Sequence, residues 1–180
     1  MKRRLDWLDN SFGTNFSGKK SKNYFTNEHL SPGLYKLAVN CFENSFHTQS
    51  LISKMLPVII AQTIIIVLLF ISSAYLGNRE IVRLFFELSM PAILIQKLIK
   101  AIYFSSRMAD VQDRFKSLFN DLMKNGFENK TAEALRDILE YETALSWAST
   151  PLTSKLFKKY QDQLAGEWKE LKEEYQIKSE

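Results

Sequence analysis

The chain has 180 residues and a modest net charge of +4, with both signs interspersed, so charge gives no support for binding a nucleic acid polymer. Apolar residues make up 46 %, yet mean hydropathy is slightly negative at −0.19, as when a very apolar segment is diluted by polar ends. The single cysteine, Cys41, excludes an internal disulfide framework and fits a reducing compartment.

The start, MKRRLDWLDN, is basic but has no apolar stretch behind it, so it is not a secretory signal. Residues 1–23, including SFGTNFSGKKSKN, read as a disordered polar segment. Residues 24–54 read as a juxtamembrane segment. Tyr24, Phe25 and Tyr35 lead into a short helix in which Leu34, Leu37, Ala38 and Phe42 approximate helical spacing.

Residues 55–104 read as a membrane hairpin. Leu56 to Leu76, LPVIIAQTIIIVLLFISSAYL, carries no charge; as a helix it is roughly 31 Å long, about the thickness of a bilayer's hydrocarbon core. Pro57 is expected in its first turn, where a missing N–H breaks no hydrogen bond. Gln62, Thr63, Ser72 and Ser73 are its polar residues, suited to contacts between helices or to lining a lumen. Gly77 is placed to end the helix. A second span, Leu84 to Phe104, is less regular: it contains Glu87, Lys97 and Lys100, and Pro91 is expected to kink or interrupt it as a hinge. The competing reading is a helix lying in the interface.

Residues 105–180 read as a cytoplasmic bundle of amphipathic helices. Val111, Phe115, Leu118, Phe119 and Leu122 form one stripe, which Asn125–Gly126 ends. Thr131 is expected to cap the next helix, with Leu135, Ile138, Leu139 and Leu145 on its inner face. Pro151 is expected to start a third, carrying Leu152, Leu156, Phe157 and Tyr160, with Trp168, Leu171 and Tyr175 further on. The fold class is therefore all-α: a transmembrane helical hairpin followed by a small helical bundle. Seven basic residues flank the hairpin's ends (Lys36, Lys54, Lys97, Lys100, Arg107, Arg114, Lys116) against Arg79 and Arg83 in its connector, so both termini are expected in the cytoplasm.

No catalytic constellation emerges. His29 and His47 fall in different segments, and Cys41 with His47 lacks further ligands for a metal. Glu140 and Glu142 point apart on a helix and read as solvated surface. No glycine-rich phosphate loop is present, so neither an enzyme nor a cofactor is expected. The intramembrane charges are the sharper signal. Lys97, Lys100 and Arg107 form one basic stripe, suited to lining a pore, binding anionic lipid headgroups or snorkelling to the interface.

The aromatic NYF, the segment AVNCFENSFHTQSLISKM, the clear span, ELSMPAILIQKLIK with its proline, and the amphipathic SSRMADVQDRFKSLFNDL together resemble the SMODS-associating four-transmembrane effector family of bacteria. SMODS denotes second-messenger oligonucleotide or dinucleotide synthetases. The likeness covers roughly residues 23–180; no apolar run before Tyr24 supplies the family's first two spans, so the chain reads as a truncated member, a split gene product or a shorter variant. The resemblance implies a pore-forming effector of antiphage defence that homo-oligomerises in the lipid bilayer and permeabilises the inner membrane. It further implies a cyclic oligonucleotide or dinucleotide signal, or a partner nucleotidyltransferase, as the trigger. The alternative is a membrane anchor or assembly partner whose C-terminal helices bind another protein.

Overall fold

The structure is a computed structural model that describes residues 8–16, 27–76, 81–147 and 154–177, apart from the side chains of residues 74, 76, 81–88, 90, 125 and 154. The regular structure of these residues is all helical. Helix α1 spans Leu34–Leu76, α2 Ile81–Asn125, α3 Thr131–Trp147 and α4 Ser154–Glu174, with a 3₁₀ turn at Glu128–Lys130. Gly77, Pro151 and Leu152 lie outside the described residues.

The helix expected around Leu34 to Phe42 and the first apolar run are one helix. Between Leu34 and Leu56 there is neither glycine nor proline to stop it, and α1 continues for 43 residues, roughly 65 Å. Pro57 is consequently interior rather than in a first turn. Its ring removes the hydrogen bond to the carbonyl of residue 53 and crowds that carbonyl. Pro91 likewise sits inside α2, which runs through it without a break.

The core forms where the first half of α1 meets the second half of α2, with the two helices running in opposite directions. Phe42 stacks on Phe115 and Phe119 at centroid distances of 5.9 and 5.2 Å, while Tyr35, two turns earlier, meets Phe119 and Phe127 edge-on. Trp168 of α4 and Tyr175, just past its end, close on Phe42 edge-on at 5.3 and 5.7 Å. Such aromatic pairs add to the burial of their large apolar areas. The expected stripe on α2 lies in this core, with Val111, Phe115, Leu118 and Phe119 buried and Leu122 packed against them. Leu37, Ala38, Phe42 and Ile52 of α1 belong to the same core, so the helices beyond residue 105 are not a self-contained bundle.

Three sequence expectations are corrected. On α3 the buried positions are Ala134, Asp137, Ile138, Tyr141 and Ala144, whereas Leu135 and Leu139 are 45 % and 66 % exposed. Two alanines at the contact let the helix approach closely, turning the bulkier leucines outward. Thr131 does not cap: it is already αR, and its hydroxyl donates back to the carbonyls of Phe127 and Glu128 because a 3₁₀ turn feeds directly into α3. Residues 8–16, read as disordered, are ordered and pinned. Asp9 Oδ1 accepts from Thr14 Oγ1 and the Phe16 N–H, both at 2.7 Å, and Gly33 N–H donates to the Ser11 carbonyl at 2.8 Å.

The pin continues into α1. Asn40 Nδ2 donates to Asn10 Oδ1 and Ser11 Oγ, and Asn27 Nδ2 donates to Asn40 Oδ1 at 3.0 Å and to Glu43 Oε2 at 2.6 Å. These groups are largely buried, and satisfying one another avoids the cost of unpaired polar atoms. At the far end of α2, Gly126 takes φ +71° and its N–H bonds the Leu122 carbonyl, the left-handed stop expected from Asn125–Gly126.

Candidate functional site

Beyond the core, α1 and α2 carry their apolar residues into the open. Ile64, Ile65, Leu68, Leu69 and Ile71 of α1 are 52 to 64 % exposed, and Ile93, Ile99 and Ile102 of α2 are 46 to 60 % exposed. The most apolar 18 residues of α1 are only 6 % buried within the fold. One helix among the described residues is thus long and apolar enough to cross a membrane. Of the polar residues in that run, Thr63 is buried, while Gln62 and Ser72 are exposed.

The candidate charged stripe divides. Lys97 and Lys100 are exposed on the apolar part of α2, with no ion-pair partner among the described residues. Lys97 lies about 10 Å along the helix from Phe104, where the core begins. Arg107 is engaged instead: its Nη2 donates to Glu140 Oε2 of α3 at 2.6 Å, both side chains being about one-third exposed. Glu140, read as solvated surface, therefore ties α3 to α2. The side chain of Glu87 lies outside the described residues, and Pro91 is buried within an unbroken helix.

Where the apolar arms leave the core, the surface is aromatic and basic. A groove between α2 and α3 is lined by Tyr103, Phe104, Arg107, Thr143, Ala144 and Trp147. Tyr103 is 55 % and Trp147 72 % exposed. On the α4 side, Lys54 and Lys159 place their ammonium groups 4.5 and 5.3 Å from the centre of the Tyr160 ring. Trp147 and the α4 lysines were missed from sequence, because only tertiary packing brings them beside Lys54 and Tyr103.

The remaining titratable groups serve packing. Cys41 is fully buried, and burial pushes its thiol well above its ordinary range. His47 is driven down to about 4 by burial; its ring lies 5.5 Å from Phe46 and 6.2 Å from Phe157, and its Nε2 has no hydrogen-bond partner. Among the described residues no group of His, Cys, Asp or Glu is arranged to hold a metal ion. Lys130 bridges Asp121 and Glu133 at 2.8 Å each, fastening the end of α2 to the start of α3. No family model, curated protein or solved structure matches the chain.

Proposed function

We propose that the protein is a multi-pass protein of the bacterial inner membrane, whose two apolar arms cross the bilayer as a hairpin and whose packed base lies in the cytoplasm. The observation that carries this reading is the 6 % burial of the most apolar stretch of α1, flanked by exposed isoleucines on α2. Water is a poor solvent for such a surface and lipid a good one. Helices satisfy their own backbone groups, as a bilayer requires.

The function favoured for it is non-enzymatic: copies associate through the arms and permeabilise the membrane as a pore-forming effector. Lys97 and Lys100 support this, being unpaired charges on an otherwise apolar surface, more stable against water than lipid. Following the resemblance of its segments, the trigger would be a cyclic oligonucleotide or dinucleotide signal from a partner nucleotidyltransferase. Induced expression should collapse the membrane potential of the host bacterium, read with a potential-sensitive dye. Lys97→Leu with Lys100→Leu should change ion selectivity in reconstituted bilayers. Normal growth with intact potential at high expression counts against the effector reading.

A second reading, a membrane anchor for a partner protein, draws on Leu135 and Leu139, which stand exposed on the outer side of α3. It expects the full chain in detergent to co-purify with a stoichiometric partner, and Leu135→Glu with Leu139→Glu to release it.

A further inference from the structure

The charges of α4 are segregated along its length in a way its own packing does not explain. Its first nine residues carry three lysines, Lys155, Lys158 and Lys159, and one aspartate, whereas its last twelve carry four glutamates and two lysines. Cations at a helix N-terminus oppose the helix dipole, so this placement is locally unfavourable. The three lysines are exposed, and among the described residues none forms an ion pair.

Tertiary packing gives the segregation a direction. Lys54, two residues before the uncharged run of α1 begins, and Lys159 both face the ring of Tyr160, so the basic end of α4 stands where the apolar arm emerges. Trp168, further along α4, and Tyr175, just past its end, instead reach Phe42 in the core. Trp147 stands exposed beside Tyr103 in the groove between α2 and α3. Lysines and an amphipathic aromatic side chain thus stand together at the base of the α1 arm, the arrangement suited to the headgroup layer of a membrane.

We propose that Lys155, Lys158 and Lys159, with Lys54, form a basic collar that binds the headgroups of anionic phospholipids in the leaflet facing the bundle, with Tyr160 seated among them. This rests on the membrane reading above and adds to it a lipid class and a set of residues. Its role is to fix the depth of the arms and to enrich negative lipid around them.

The test uses the full chain reconstituted into vesicles of phosphatidylcholine and phosphatidylglycerol at 3:1, with bromine carried on one lipid or the other. The probe is a Tyr160→Trp variant, whose added emission is isolated as its difference from wild type, and the lysine substitutions are made in that background. Per mole of brominated lipid, phosphatidylglycerol should quench this emission roughly threefold more than phosphatidylcholine, and 0.5 M salt should reduce the excess. Lys155→Gln with Lys158→Gln and Lys159→Gln should bring the ratio to about one, while the corresponding arginine variant should keep it, since a lysine near an anionic surface acts through its charge. Circular dichroism checks that the glutamine variant retains its helix content. Should it not, the salt dependence and the arginine variant still decide. A ratio of one with the lysines in place, or no change in a folded glutamine variant, overturns the collar but leaves membrane insertion standing. Extraction of the wild type from the vesicles by alkaline carbonate overturns both.

Discussion

Arg107 and Glu140 meet at 2.6 Å across the contact between α2 and α3, and this single bond separates Arg107 from the two lysines with which it shares a helix stripe. Each side chain is about one-third exposed, so the pair is neither fully screened nor fully desolvated. Double-mutant analysis of Arg107→Gln and Glu140→Gln should give a coupling of about 0.5–1 kcal/mol in denaturant unfolding. If the arms conduct ions, Arg107→Gln should leave selectivity unchanged while the Lys97 and Lys100 variants alter it. A selectivity change on Arg107→Gln, with the bundle still folded, would return that residue to the ion path.

Phe42 is the hub of the core, fully buried and in contact with four aromatic rings. Truncation to alanine should destabilise the bundle by about 3–5 kcal/mol, measured by unfolding in detergent. The same geometry makes residues 105–180 dependent on α1. Expressed alone, that fragment should give no cooperative transition, and a peptide of residues 27–55 should restore one. A cooperative unfolding curve from the isolated fragment would contradict the shared core.

His47 gives the bundle a specific pH response. Its folded value of about 4 lies below the ordinary 6.5, so as pH falls the unfolded chain takes up this proton first. The stability owed to neutral His47 is complete above about 6.5 and is lost progressively toward pH 4, on the order of 3 kcal/mol in total. Substituting His47→Gln should therefore flatten the stability of the protein between pH 6.5 and 4 relative to wild type. Parallel pH profiles for the two proteins would remove His47 as the cause.

Much of this architecture is legible in the sequence, for reasons that differ by element. The run Leu56 to Leu76 needs no tertiary knowledge, because composition alone makes it unsuited to water. The stripe from Val111 to Leu122 is legible because its large apolar residues repeat at helical spacing on one face. Helix α3 misleads by the same rule: close approach selected Ala134 and Ala144 for the contact, and size-based reading favoured Leu135 and Leu139. Proline is tolerated at a helix start, and Pro57 reads as one, yet a helix secured on its N-terminal side by core packing carries it through. The basic collar was illegible for another reason. Lys54 and the lysines of α4 are separated along the chain and meet only through the fold, whereas Lys97 and Lys100 stand out as charges within an apolar stretch.

The central claim, that both arms cross the bilayer, is tested most directly by the sidedness of two engineered thiols. Cys41 is buried and unreactive by position, and replacing it with alanine leaves a clean background. Single cysteines are then placed at Asn78, in the connector between the arms, and at Ser106, exposed on α2 just inside the core. In intact bacteria stripped of their outer membrane, an impermeant maleimide should label position 78 and spare position 106 until the inner membrane is lysed. Labelling of both positions only after lysis would place the connector in the cytoplasm and contradict the transmembrane hairpin.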